Sequence, residues 1–99
     1  MLNEEPSSYF EWDEIKNNIN IAKHGIDFAD VPAIFDLPML VELDMIGEYD
    51  EERWKGIGML SNGFIVVIYT EPDGNTTRII SARRANKHER SRYEHAFTD

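Results

Sequence analysis

Arginine, carboxylate, phenol and imidazole side chains are concentrated in residues 76–93, TTRIISARRANKHERSRY. Cleavage of RNA at a ribose 2′-hydroxyl needs a base, cations that neutralise the charge developing on phosphorus, and an acid for the leaving oxygen. Two or three arginines, Glu89, Tyr93 and a nearby histidine could together supply these groups. The pattern is therefore compatible with RNA cleavage that uses no metal ion.

The same residues also have a purely structural interpretation. Glu89 follows Asn86 by three residues, which is the spacing of a capping box, so its carboxylate could serve only to cap a helix. Arg92 could only pair with Glu89, and Tyr93 could be a core residue. From spacing alone, catalysis and structure remain alternatives.

The strand that carries the arginines determines the sheet face on which each one lies. Side chains alternate between the two faces of a strand, so Arg78 and Arg83, five positions apart, are predicted to face opposite sides. Arg78 and Arg84 would share a side if the strand continues. The turn into the following helix could rotate either Arg83 or Arg84.

Other candidate residues lie outside this stretch. His24 precedes Gly25 at a predicted helix C-terminus, where a protonated imidazole is favoured, so a structural role competes with catalysis. Arg53 follows a run of acids, and a surface ion pair is the default interpretation. Trp12 and Trp54 are expected to be core residues rather than platforms for base stacking.

The sequence predicts no metal or nucleotide cofactor. The histidines at positions 24, 88 and 95 lack the spacing of a helical metal pair, and the acids at 48–52 lack the pattern of a calcium loop. No glycine-rich loop suited to phosphate is present. The absence of cysteine excludes a disulfide framework, a thiol nucleophile and any zinc site that needs thiolate ligands.

Charge is distributed unevenly along the chain. Its 99 residues carry a formal net charge of −9, which argues against a simple nucleic-acid binder. Residues 1–52 hold 14 acids and 2 bases, whereas residues 53–99 hold 5 acids and 8 bases. A cationic site localised within an acidic body, or a solvated helix face, would each give this distribution.

Composition and length indicate one folded domain. The chain is 41% hydrophobic and 11% aromatic, and is too short for a second core. Its longest apolar run, residues 64–69, is far below the roughly 20 residues of a membrane span. The first residues, MLNEEPSS, lack the basic and apolar regions of a secretory signal. We expect a cytoplasmic protein with a flexible extension at residues 1–8 and one domain at 9–99.

The element order is predicted to be β-α-α-β-β-β-β-α. Strands are expected over 9–12, 39–44, 53–60, 64–69 and 76–83, and helices over 14–24, 30–36 and from Asn86 to about Phe97. Residues 46–52 are predicted to be a loop. Short turns between the last strands imply an antiparallel meander with helices packed on it, which is an α+β domain.

The first two helices have defined boundaries and expected buried faces. Asp13 is predicted to be the N-cap of the first helix, and Gly25 the C′ residue directly after it. Apolar residues at i, i+4 and i+7 predict its buried face: Ile15, Ile19 and Ala22. Asp27 or Asp30 could cap the second helix, and Pro32 favours a start near Asp30. This segment is expected to bury four residues: Phe28, Val31, Ile34 and Phe35.

Several segments together resemble the BrnT family, the toxin components of type II toxin–antitoxin pairs. They are FEWD at 10–13, KHGIDF at 23–28, ERW at 52–54, and VVIYTE followed by RIISARRAN..ER..YE through residue 94. The match covers about residues 10–94, in the order and spacing of the family. It implies a RelE-like ribonuclease fold, an antiparallel sheet flanked by helices.

The resemblance also implies a function. It implies a metal-independent endoribonuclease that halts translation and is neutralised by a BrnA-like antitoxin, whose ribbon-helix-helix part binds operator DNA. The implied catalytic residues are Arg78, Arg83, Arg84, Glu89, His24 and Tyr93. The implied RNA-binding residues are Arg53, Tyr69 and Arg92. The alternative is a catalytically weak module that binds an antitoxin and acts mainly in autorepression of the operon.

Overall fold

The computed structural model describes residues 9–44, 51–61 and 63–98. The elements follow in this order: β1 (Tyr9–Glu11), α1 (Glu14–His24), a 3₁₀ helix (Phe28–Asp36), β2 (Leu40–Leu43), β3 (Trp54–Leu60), β4 (Gly63–Thr70), β5 (Thr76–Arg84) and α2 (Lys87–Thr98). The predicted element order is confirmed. The second helix is a 3₁₀ helix, and its expected start near Asp30 is wrong, because Asp27 caps it by accepting from the N–H of Ala29. The predicted extension at residues 1–8 and residues 46–50 of the predicted loop lie outside the described residues.

The five strands form one sheet in the order β1-β5-β4-β3-β2. Strands β2 to β5 are antiparallel neighbours, and β3 to β5 form the meander that their short turns predicted. The exception to the expected antiparallel sheet is β1, which pairs parallel to β5 from Tyr9 opposite Thr76 to Glu11 opposite Arg78. No turn joins these two strands, so the turn pattern carried no information about their direction.

One face of the sheet is covered by the 3₁₀ helix. Phe28, Val31 and Ile34 are fully buried there, as predicted. A strand residue without a side chain, Gly58, allows the helix to approach closely. A Cβ placed on Gly58 would lie 2.3 Å from Cγ2 of Ile34, so this face accepts only glycine at that position without rearrangement.

Helix α1 has its predicted boundaries, but its predicted buried face is wrong. Ile15 and Ile19 are 72% and 59% exposed, and Ala22 is exposed as well. The residues that α1 buries are Asn17 and Asn20. The reason is that α1 packs against strand backbone, which requires hydrogen-bonding side chains rather than apolar ones.

Asn20 closes part of the free edge of β5. Because β1 pairs with β5 only as far as Arg78, the main chain at Ala82 has no strand on that side among the described residues. The side-chain amide of Asn20 donates to the carbonyl of Ala82 at 2.9 Å and accepts from its N–H at 3.2 Å. Helix α1 therefore takes the place of a further strand at this edge.

Helix α2 covers only part of the opposite face. Its Tyr93 is buried against Ile57 and Val66, with Phe64 packed at the margin. The rest of this face, beyond α2, is open to solvent and carries polar side chains. No helix in the described part of the chain is long and apolar enough to cross a membrane.

Candidate functional site

An irregularity in β5 brings two arginines to the same side of the sheet. Arg78 lies opposite Thr70 and Arg83 lies opposite Val66, and the register shifts between these two pairs. The extra residue in β5 shifts the alternation of side chains between the two faces by one position. Two side chains five positions apart therefore face the same way. The prediction that Arg78 and Arg83 face opposite sides is therefore wrong.

The same irregularity separates Arg78 from Arg84. Arg84 lies opposite Ile65, whose side chain is fully buried in the core beneath the 3₁₀ helix. It is therefore on the other face from Arg83 and near Gly63 at the end of the strand. The expectation that Arg78 and Arg84 share a side is also wrong.

Glu89 holds two cations on the open face. Its carboxylate receives two hydrogen bonds from the Arg83 guanidinium, Nη1 to Oε1 at 2.9 Å and Nη2 to Oε2 at 2.8 Å. The ammonium of Lys55 lies 3.0 Å from Oε2 of the same carboxylate. Glu89 is 4% exposed, whereas the Arg83 side chain is 40% exposed. The carboxylate is thus buried beneath a guanidinium that solvent and ligand can reach.

The capping box predicted for Asn86 and Glu89 is present. The Glu89 carboxylate accepts from the N–H of Asn86 at 2.9 Å, and the Asn86 side chain accepts from the N–H of Glu89 at 2.8 Å. The cap fixes the Glu89 side chain at the start of α2, and the carboxylate in turn fixes Arg83. The structural and functional interpretations of this residue are therefore compatible.

Hydrogen bonds from Arg83, Asn86 and Lys55 outweigh burial and hold the pKa of Glu89 far below its usual range. The carboxylate is consequently ionised at all physiological pH values. Such a group is a weak proton acceptor. Its geometry suits a positioning role for Arg83 and Lys55.

Lys55 was not among the residues singled out from the sequence. It is the one charged residue in β3, WKGIGML, and lies on the face away from the 3₁₀ helix, opposite Ile68. A lysine within a largely buried strand is a usable signal, because an ammonium is rarely left buried without a partner.

Arg78 and Arg92 extend the positive charge on both sides of this cluster. The Nη2 of Arg78 lies 2.6 Å from Glu11 on β1, and Arg92 pairs with Glu42 on β2. Glu42 is the register partner of Lys55, which places Arg92 beside the cluster. We call the set Lys55, Arg78, Arg83 and Arg92 the cationic face.

Three of the residues named from the sequence lie away from the Arg83–Glu89 cluster. The Tyr93 hydroxyl donates to the carbonyl of Pro38 at 2.9 Å, and its ring is buried in the core under α2. Tyr69 is buried on the other face, where burial and the nearby Glu71 raise its pKa to about 12. His24 lines a groove between α1 and β5.

Arg53 immediately precedes β3, and its guanidinium lies 4.0 Å from the carboxylate of Glu51. Strand alternation places it on the same side as Lys55, next to the cationic face. Among the described residues, no group of three or more histidines and carboxylates is arranged to hold a metal ion.

Comparison with known proteins decides the family. Residues 12–89 match the family model of the ribonuclease toxin BrnT of type II toxin–antitoxin systems. The chain belongs to the BrnT family. No curated protein gives a significant match.

A solved BrnT structure confirms the fold. The crystal structure of the Brucella abortus ribonuclease toxin BrnT is similar to this chain with a TM-score of 0.60 and 28% sequence identity. The alignment covers 81% of this chain and 100% of the Brucella chain. The expected α+β architecture of a BrnT toxin, a five-stranded sheet with helices, is therefore present here.

Proposed function

We propose that this BrnT toxin is a cytoplasmic endoribonuclease that binds and cleaves RNA on its cationic face. In this proposal cleavage inhibits translation, and a BrnA-like ribbon-helix-helix antitoxin neutralises the toxin and supplies all contact with operator DNA. The observation that carries the proposal is the fixed pair of Arg83 and Lys55 on one buried carboxylate, Glu89.

The proposed roles follow from charge and exposure. The Arg83 guanidinium, held by two hydrogen bonds yet 40% exposed, stabilises the negative charge that develops on the phosphate in the transition state. The ammonium of Lys55 donates a proton to the leaving oxygen, and solvent water accepts the proton of the attacking ribose 2′-hydroxyl. Glu89 is a positioning residue that holds both cations in place, because preorganised charges need no rearrangement during the reaction.

Arg78, Arg92 and Arg53 are proposed to bind the RNA backbone. Arg78 is paired with Glu11 and Arg92 with Glu42, and these side chains are one-third to one-half exposed. Exposed ion pairs of this kind contribute only about 0–1 kcal/mol, so phosphate can replace the carboxylates at little energetic cost. The chain's own cations thus supply the charge neutralisation that a metal ion would otherwise provide.

The test compares two neighbouring arginines on opposite faces. Arg83→Ala should lower cleavage of a defined RNA oligonucleotide by about 10²–10³-fold, as expected when a transition-state contact is lost. Arg84→Ala should retain cleavage, because its side chain is on the other face. Circular dichroism and a urea titration check that both variants fold. Equal loss in both folded variants, or no loss in Arg83→Ala, would remove the cationic face from the mechanism.

One observation favours a second candidate function. The ionised Glu89 and the buried hydroxyl of Tyr93, which donates to Pro38, are poor carriers of a proton. A catalytically weak module that binds an antitoxin and acts in autorepression would need no such carrier. Induced expression without the antitoxin separates the two candidates: growth arrest with RNA decay supports the enzyme, whereas normal growth with a folded protein supports the module.

A further inference from the structure

Helix α1 presents an apolar stripe that the described part of the chain does not cover. Ile15 and Ile19 are 72% and 59% exposed, and Ala22 continues the stripe at i+7 from Ile15. An i, i+4, i+7 pattern of this kind normally marks the face that a helix buries. Here that burial is absent among the described residues, because α1 uses Asn17 and Asn20 to contact the rest of the domain.

Positive charge borders the stripe on the side that faces β5. Lys16 and Lys23 are the only two bases among residues 1–52, where 14 acids are also present. Seven residues apart, they lie almost directly above one another on α1. Together with Ile19 they line a groove of about 200 Å³ whose opposite wall is formed by Ile80 and Ser81 of β5.

On this surface an apolar stripe and a row of two lysines run side by side along α1. An RNA strand would match the two lysines but would leave exposed isoleucines without a function. A helix with an apolar face and carboxylates along one side would match both features, since its apolar residues would cover the stripe and its acids would meet the lysines. Charge complementarity therefore favours an acidic amphipathic helix.

We propose that the α1 stripe and its lysine border are the docking site for an acidic amphipathic helix of the antitoxin. The inference rests on the proposed function, because it names the surface by which the neutralising partner holds this toxin. Ile19 is the central anchor, as it belongs to both the stripe and the groove. The lysines fix the direction and register of the bound helix.

The site lies next to the cationic face. Lys16 lines a second depression together with Glu11 and Arg78. Ser81, in the wall of the first groove, lies opposite Ile68, which is itself the register partner of Lys55. A helix bound along α1 therefore runs beside the cationic face. Carboxylates at the end of that helix can form ion pairs with the Arg78 guanidinium. Docking in this place gives a direct route to inhibition.

The experiment measures binding and toxicity in the same variants. The probe is the full-length protein encoded by the reading frame adjacent to that of this chain. Ile19→Asp should weaken binding of this probe by at least about 30-fold, the effect of losing a central anchor. The matched control is Val41→Asp, which places a carboxylate on another exposed apolar residue, 44% exposed on β2 at the far edge of the sheet. This control should bind like the wild type.

Growth arrest provides the second measurement. Ile19→Asp should remain toxic when expressed alone and should escape rescue by the co-expressed probe, whereas Val41→Asp should be rescued. Lys16→Glu combined with Lys23→Glu should slow association at least tenfold while leaving RNA cleavage unchanged. Circular dichroism confirms that each variant is folded, and Ile19→Ala serves as a milder second variant.

The outcomes separate the inference from the function on which it rests. Wild-type binding with equal binding of Ile19→Asp would overturn the docking site and leave the toxin assignment intact. Loss of RNA cleavage in the double lysine variant with unchanged probe binding would show an RNA track in place of a protein site. Absence of any binding by the wild type would overturn the antitoxin partnership, and the docking site with it.

Discussion

Glu89 is proposed to position the cations of the site without itself reacting. Its depressed pKa makes it a stabilising group whose contribution is present above its unfolded pKa and is lost as the pH falls toward the folded value. For the wild type, the free energy of unfolding should therefore decline steadily as the pH drops below about 4.3, the ordinary value for glutamate.

Glu89→Gln should make that decline shallower, and hydrogen-bonded carboxylates with lowered pKa values, Asp27 and Asp73, account for part of the remainder. Glutamine can still close the capping box but cannot ionise. At pH 7 the variant should be less stable by about 2 kcal/mol, because Arg83 and Lys55 lose a charged hydrogen-bond partner. Urea unfolding at several pH values between 3 and 7 measures both effects. If the free energy of unfolding of the two proteins depended on pH in the same way, Glu89 would not be the source of the pH dependence assigned to it.

Lys55 provides a second prediction at the residue scale. Lys55→Met should lower RNA cleavage by about 10²-fold while leaving the fold intact, because methionine retains the length of the stem and removes the charge. Lys87→Met, at an exposed position in the first turn of α2, is the matched control and should cleave normally. Single-turnover kinetics on one oligonucleotide compares the two variants. Similar activity in both would exclude Lys55 from the reaction.

At the scale of elements, the attachment of α1 to β5 depends on the buried side-chain amide of Asn20. Asn20→Leu keeps the volume of the side chain but leaves the N–H and the carbonyl of Ala82 without partners. Each such loss costs about 1–3 kcal/mol, so we expect a destabilisation of about 2–6 kcal/mol. Asn18→Leu, at an exposed position on the same helix, should change stability little. Equal urea midpoints for the two variants would contradict this account of the β5 edge.

The boundaries of α1 could be predicted from the sequence, whereas its orientation could not. The capping residues Asp13 and Gly25 act locally, and both are observed in these roles. The apolar pattern of Ile15 and Ile19 predicted a buried face on the assumption that the partner belongs to the same chain. The parallel direction of β1 could not be predicted from the sequence either, because its partner strand β5 lies far along the chain.

The same distinction applies to the site. The capping box predicted the position of Glu89, because its partner Asn86 is three residues away. The irregularity in β5 between Arg78 and Arg83 arises from the way this strand pairs with β4, and no residue in the segment marks it in the sequence. A prediction from strict alternation therefore placed the two arginines on opposite faces. The contact of Lys55 with Glu89 is likewise a tertiary one.

At the scale of the whole molecule, RNA binding has to overcome a net charge of −9. The cationic face contains four bases, and each phosphate neutralised on a single strand contributes about −0.7 to the slope of log affinity against log salt. We therefore expect a slope of about −2 to −3. Arg78→Gln should make the slope shallower by about 0.7, and Arg84→Gln should leave it unchanged. Binding titrations between 50 and 200 mM salt test this, and identical slopes for both variants would contradict the proposed footprint.

The parallel pairing of β1 with β5 ties the assembly of the toxin to the order of its synthesis. Glu11 meets Arg78 across 67 positions of sequence, and Asn20 meets Ala82 across 62. Because a ribosome releases the N-terminus first, β1 and α1 leave it long before their partners exist. Non-local contacts of this separation also form slowly. The cationic face is therefore completed only after residues 78–92 have followed β1 and α1 out of the ribosome.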